Sequence, residues 1–378
     1  MRRGILSFIV LIFTFPIAIT SQIDLAGRYT HAEFDTAKQN DLIFRLESDL
    51  FFKNNEYFSD YTQGYTLPGF TLRPELVYYA GKRLRFAAGA NLIQFFGEDG
   101  LFDVKPVISA QLRASDKFYV ILGALKGNIH HGLIEPVYDP DNQYLRPVEN
   151  GLQFLFNSRR FNFDAWIDWE QFISWGDTLP ERFTAGFTGN VVLTNEENKV
   201  QVNMPVQLLA NHQSGQISDF NDDTYSMLNS VLGLRAGFNT GSGFIRKVWL
   251  DGYYLGFSQF SGSQDLGFDS GYALYPVTGI NYKYGQLMLG YWYADNFYSL
   301  KGNNEFMSIS DYKEGVYSQY RNMGTVKATF NRSFMNDQIK LNVCFNIYYD
   351  FPSSQFDYSY GLSLIYTPEF RIINLISH

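Results

Sequence analysis

Near the end of the chain apolar and polar residues take turns. Ile339, Leu341, Val343, Phe345, Ile347 and Tyr349 alternate with Lys340, Asn342, Cys344, Asn346 and Tyr348. The same order sets Phe183, Ala185, Phe187, Gly189, Val191 and Leu193 against Thr184, Gly186, Thr188, Asn190, Val192 and Thr194. It returns from Val200 to Ala210, where Gln201, Asn203, Gln207 and the following Asn211 fall between apolar positions. Successive side chains of a strand point to opposite faces, so a period of two predicts two-faced strands.

The pattern continues through about sixteen segments, each of about eleven to fourteen residues. The first five are Asp41 to Phe52, Pro68 to Ala80, Arg83 to Phe96, Leu101 to Ala114 and Lys117 to Asn128. Then come Asn150 to Ser158, Phe161 to Ile173, Glu181 to Thr194, Lys199 to His212, Tyr225 to Phe238 and Phe244 to Ser258. The last five are Ser270 to Lys283, Gln286 to Tyr298, Glu314 to Asn331, Gln338 to Asp350 and Phe356 to Tyr366. Strands of globular proteins run to about five or six residues, whereas a tilted strand crossing a bilayer needs about nine to eleven. Length therefore favours membrane crossing over a soluble sandwich or propeller.

The connections alternate in size as well. Gly81-Lys82, Ser115-Asp116, Arg159-Arg160, Asn195 to Asn198, Asn239 to Gly243, Tyr284-Gly285 and Arg332 to Asp337 are short. Lys53 to Leu67, Ile129 to Glu149, Gln213 to Thr224, Gln259 to Asp269 and Ser299 to Lys313 are long, while Gly97 to Gly100 and Ser174 to Pro180 are brief members of that second set. Short periplasmic turns and longer outer loops are the habit of membrane barrels. Unpaired backbone groups in hydrocarbon cost several kcal/mol, so such a sheet must close on itself. The expected fold is all-β: a transmembrane antiparallel up-and-down β-barrel of about sixteen strands, within a range of about 12–18. Tyr291, Tyr293 and Trp169 suit its interfacial girdles.

Arg2 and Arg3 precede an apolar run from Ile5 to Ile19, too short to span a bilayer as a helix and followed by Thr20, Ser21 and Gln22. Residues 1–21 read as a signal peptide, 22–40 as a periplasmic lead-in and 41–378 as one barrel domain. Hydrophobic residues make up 46% and aromatic residues 18% of the chain, yet beyond the signal run they are dispersed rather than blocked, as two-faced strands require. Cys344 is the lone cysteine, which excludes an internal disulfide framework. A net charge of -8 argues against nucleic acid as a partner, because phosphate binding needs a basic face.

Ser359, Tyr360, Gly361, Leu362, Ser363, Leu364, Ile365 and Tyr366 form a polar, any, Gly, any, any, apolar, any, aromatic pattern. It resembles the terminal-strand signal of Gram-negative outer-membrane, porin-like β-barrels, although this chain continues for twelve residues to His378. The resemblance covers Asp41 to Tyr366 in architecture. It implies the outer membrane of a Gram-negative bacterium, delivery by the barrel assembly machinery, contact with membrane lipid and lipopolysaccharide, and a homotrimer.

About sixteen strands enclose an aqueous channel. Parity turns Arg45, Arg73, Lys105, Arg113, Lys247, Arg321, Lys327 and Lys340 inward as pore-lining cations, with Asp164, Trp166, Asp168 and Glu170 on the seventh strand. Basic residues dominate the first four strands, so a transverse field across the lumen is expected. The longest loop follows the fifth strand, where porins narrow the pore, and the resemblance makes Glu135, Asp139, Asp141 and Glu149 constriction candidates. The expected function is transport: a porin-like channel for small hydrophilic solutes. Trp166 beside three acids also admits a barrel for saccharide uptake or export, since an indole stacks on sugar rings. A structural or assembly barrel of a surface complex is a third reading.

A fourth is an outer-membrane hydrolase, whose site needs a nucleophile, a base and an orienting group in mutual reach. The adjacent His130 and His131 lie near Glu135 and Asp139 in sequence, but neighbouring residues do not project alike and the spacing is not that of a helical zinc site. The sequence-based expectation is therefore not an enzyme, with no cofactor and no metal.

Overall fold

The computed structural model describes residues 34–126, 131–195, 197–215, 224–241, 243–262 and 266–375. The signal peptide, most of the lead-in, His130, Asp222 and Asp223 lie outside the described residues.

The chain runs through β1 (Asp41–Glu56), β2 (Tyr65–Ala80), β3 (Leu84–Phe95), β4 (Asp103–Arg113), β5 (Phe118–Ala124), β6 (Asn150–Asn157), β7 (Phe161–Gln171) and β8 (Glu181–Val192). It continues with β9 (Val200–Ser214), β10 (Tyr225–Asn239), β11 (Ile245–Gly262), β12 (Ser270–Tyr282), β13 (Gly285–Asp295), β14 (Tyr320–Phe334), β15 (Ile339–Asp350), β16 (Gln355–Tyr366) and β17 (Glu369–Asn374). Each strand from β1 to β15 pairs antiparallel with the next, and β1 closes the ring by pairing with both β16 and β17. Ser48 faces Tyr366 and Asp41 faces Asn374, so β16 and β17 are two lengths of one stave and the barrel has sixteen. Pro368, which has no N–H to give the ladder, stands at the break and accepts from Leu46 at 3.1 Å. Glu369–Asn374 thus finishes the closing strand. No described helix is long and apolar enough to cross a membrane; the chain crosses with strands.

Alternation sets the two faces. Leu76, Phe86, Ile108, Leu122, Leu232, Leu250 and Leu362 are exposed on the outside, where lipid lies, while Glu75, Arg85, Gln111, Asn203, Gln207 and Asp251 are buried toward the lumen. The lumen departs from a simple polar lining. Leu209, Val231, Trp249, Leu255, Phe257 and Trp292 also face inward, in one buried cluster with Leu133, Ile134, Val137, Phe297, Phe306 and Met307. The last six come from two connections, residues 131–149 of the one after β5 and 296–319 after β13, which fold into the barrel and bring their own apolar side chains. Apolar inward positions are stable here because they meet protein rather than lumen water.

The two inward loops hold each other. Asp139 N–H donates to the Lys301 carbonyl at 2.7 Å, Asn303 N–H to the Glu135 carbonyl at 3.1 Å, and Ser299 Oγ to the Val137 carbonyl at 3.0 Å.

Candidate functional site

The lumenal polar groups are organised around the loop after β5. His131 carries a positive φ of 46° and a ring fully enclosed by protein. Its Nδ1 lies 2.7 Å from Asp164 Oδ2 of β7 and its Nε2 2.6 Å from Glu149 Oε2 at the end of the same loop. Burial alone disfavours a charged imidazole, but the Asp164 and Glu149 carboxylates outweigh it and push the His131 pKa up to about 10. Burial likewise opposes a charged Glu149, yet the His131 charge and hydrogen bond hold its carboxyl below the ordinary value. With both nitrogens engaged as donors to carboxylates, His131 is an imidazolium pin with no lone pair for general-base work. Among the described residues no hydrogen bond or ion pair joins it to Glu135 or Asp139.

The other predicted positions are drawn into the same packing. Trp166 carries the His131 ring on its indole, so that face is not open to a sugar. Asp168 accepts from Asn150 N–H at 2.7 Å, and Glu170 pairs with Lys301 at 2.7 Å and Arg146 at 3.6 Å. Glu135 pairs with Lys327 and accepts from Tyr348. Asp141 accepts from Asn55 at 2.8 Å and Tyr65 at 2.9 Å, with Lys53 3.7 Å away. Asp139 accepts from Asp141 N–H, and burial together with the Asp141 charge raises its pKa to about 7. Arg321 reaches Asp350 at 3.1 Å and the Met307 carbonyl at 2.6 Å. Arg45 and Arg73 share Glu75, Lys105 lies 3.7 Å from Asp103, and Arg113 reaches Asp116 at 2.7 Å. Lys247 and Lys340 lie half-buried on β11 and β15.

A different arrangement stands on the outer face. In β9 the buried positions are odd-numbered, from Gln201 to Asn211, so His212 projects to the lipid side; in β10 Met227, Asn229 and Val231 are buried and Ser226 projects outward likewise. Ser226 lies directly opposite His212 in the ladder, and Ser226 Oγ is 2.9 Å from His212 Nδ1. Both sit at the long-loop end of their strands. The Phe183 ring of β8 packs on the imidazole with centroids 4.8 Å apart, and Trp169 of β7 packs on Phe183 at 5.5 Å. On the other side the ladder between β10 and β11 slips, with Ser226 facing Ser261 and Met227 facing Gln259, so that Phe260 bulges out beside Ser226. No carboxylate bonds His212 among the described residues, so the pair is a dyad. Chemically it is a hydroxyl next to a base at a lipid surface, framed by aromatic rings.

The sequence reading gave His212 and Ser226 no role. The available signal was parity: an imidazole and a hydroxyl fall on the face that the flanking alternation reserves for lipid. Their partnership is invisible in sequence, because a turnaround separates them and only the ladder register sets them opposite.

A closed sixteen-stave barrel with an apolar belt, outer loops and short inner turns is a Gram-negative outer-membrane protein of porin-like fold. Among solved structures, the outer membrane protein OprD from Pseudomonas aeruginosa superposes over 87% of this chain and 94% of that one, with a TM-score of 0.51 at 10% identity. OpdK from Pseudomonas aeruginosa with vanillate covers 88% and 100%, at a TM-score of 0.49 and 11% identity. Identity this low speaks to fold alone. No curated protein matches the chain in sequence. The Lipid A 3'-O-deacylase-type family matches residues 34–375, and the chain belongs to that family.

This membership corrects the expectation that the chain is not an enzyme: the family to which nearly all of it belongs is named for a hydrolytic activity. The expectation failed for a physical reason. Of the adjacent histidines weighed there, His131 does not supply a catalytic base, because it is tied up as a structural cation between Asp164 and Glu149.

Proposed function

We propose that the protein is an outer-membrane ester hydrolase that removes acyl chains from a lipid A-type glycolipid of the outer leaflet, with Ser226 as nucleophile and His212 as general base. The observation that carries this reading is the 2.9 Å contact between Ser226 Oγ and His212 Nδ1 on the lipid face. Family membership gives the substrate class. In the first step His212 accepts the Ser226 proton as Oγ attacks the ester carbonyl, and the sugar alkoxide leaves with that proton. Water, deprotonated by the same ring, then hydrolyses the acyl-serine and frees a fatty acid. Trp169, Phe183 and Phe260 offer an apolar surface for the acyl chain beside the reacting atoms.

The test is release of fatty acid from lipid A in mixed micelles, read by mass spectrometry on the refolded protein. His212→Ala is expected to slow turnover about 10²–10⁴-fold, and Ser226→Ala to remove it, both with unchanged heat-modifiable barrel mobility. Full activity in Ser226→Ala would sink the assignment.

A second reading, passage of small hydrophilic solutes, is favoured by the number of staves, since sixteen enclose more space than side chains of the wall alone fill. The two inward loops oppose it. Single-channel recording decides: steady open conductance in the unmodified protein supports the channel, and a silent barrel supports the enzyme.

A further inference from the structure

The inward faces of β1 to β4 carry more positive than negative charge in the half nearer the short turns. Arg45 of β1 donates to Glu47 at 2.7 Å and lies 3.7 Å from Glu75 of β2, and Arg73 Nε donates to the same Glu75 at 2.9 Å. Those two cations are thus matched by two carboxylates. Arg85 of β3 is a third, only 3% exposed, and among the described residues it forms no ion pair. Among the described residues its Nε has no hydrogen-bond acceptor, and its guanidinium lies 5.9 Å from the centre of the ring of Tyr79, whose hydroxyl it also engages. Directly across the ladder from Arg85 stands Gln111 of β4, which accepts from the Nζ of Lys126 in the inward loop. Burial, then the nearby Arg85 and Arg45 charges, hold the Lys126 pKa well below the ordinary lysine value.

A guanidinium cannot shed its proton to escape burial, as a lysine can. Buried charge persists where a counter-charge meets it. We propose that the lumen between β1 and β4 binds a small oxyanion of the phosphate or carboxylate class, held by the fork of Arg85 with Lys126 beside it. The guanidinium edge that includes the unsatisfied Nε matches two oxygens of such a group, which a spherical halide does not offer. Glu75 keeps Arg45 and Arg73 in place around the bound group, and its charge also acts on Arg85 but leaves the guanidinium Nε without an acceptor. This site is separate from the outer dyad, on the opposite face of the wall and on other strands, so either can fail while the other stands.

The experiment is calorimetric titration of the full-length refolded protein in detergent at pH 7, with inorganic phosphate and, separately, acetate as probes. Saturable binding of at least one probe at a single site is expected, with a higher melting temperature in its presence; the tighter probe identifies the source. Arg85→Gln should weaken binding by roughly tenfold or more, as should Lys126→Gln, which keeps the test open if the arginine variant does not fold. Arg83→Gln, in the exposed turn before β3, should leave affinity unchanged. Absence of saturable binding of both probes, or equal affinity in Arg85→Gln and the unmodified protein, would overturn the proposal.

Discussion

The His131 imidazolium lies flat on the Trp166 indole, ring centroids 3.8 Å apart and planes inclined by 10°. Asp164 and Glu149 hold the ring by its two nitrogens. The loop after β5 is thereby tied to the wall at one residue, by charge, hydrogen bonds and cation–π attraction together. Beside it, Thr188 Oγ1 donates to the His131 carbonyl at 2.7 Å, and Gln207 receives the Ile134 N–H at 3.0 Å.

His131→Ala should release this loop. Removing one partner of a buried ion pair costs about 3–5 kcal/mol because the other charges stay buried. The expected outcome is a lower melting temperature and new protease cleavage between Leu133 and Glu149 in the folded barrel. A variant as resistant as the unmodified protein would refute the pin.

The pin should respond to alkali. The His131 pKa is raised to about 10 in the folded state, so its stabilising contribution is complete below the ordinary histidine pKa of about 6.5 and is lost as pH rises through about 10. Glu149 has the opposite sign: its carboxyl pKa is lowered, so its contribution is present above the ordinary carboxylate range and lost as pH falls through the lowered value. Tryptophan fluorescence between pH 7 and 11 should change with a midpoint near 10, and the change should vanish in Trp166→Phe. A flat trace counts against the assignment.

Gly186→Ala should disturb the pin without touching a charge. A Cβ at Gly186 would stand 2.2–2.6 Å from three atoms of the Trp166 indole, directly across the ladder. Overpacking of this kind costs about 1–3 kcal/mol. Gly252→Ala, where a Cβ meets nothing within 4 Å, is the matched control and should be near neutral. Equal melting temperatures for the two variants would contradict the close approach.

Arg321→Met should loosen the second inward loop. The guanidinium sits 3.5 Å over the Tyr61 ring, donates to the Met307 and Glu305 carbonyls and pairs with Asp350, so its loss strands a buried carboxylate and two loop carbonyls. A destabilisation of about 3–5 kcal/mol is expected by chemical unfolding in detergent, with cleavage appearing between Phe297 and Ser318. An unaltered unfolding midpoint would show the loop is held elsewhere.

The strand set was legible because lipid enforces it. A stave that meets hydrocarbon on one side must alternate, and it must be long enough to cross, so Ile339–Asp350 and Glu181–Val192 appear in sequence almost as they stand in the barrel. The sequence pattern starts the fourteenth strand at Glu314, whereas the ladder begins at Tyr320 and residues 314–319 belong to the inward loop. The closing half-strand after Pro368 was unreadable, since its exposed Phe370, Ile372 and Ile373 acquire meaning only against β1.

By itself the sequence determined the wall: which residues face lipid, how many staves there are and which connections are long, because each of these follows from local alternation and the thickness of a membrane. Only the tertiary structure decided what fills the wall and what stands on it. Whether Glu149 meets solvent or His131, and whether Ser226 meets lipid or His212, depends on loop paths and ladder register, which bring together side chains that no period in the chain connects.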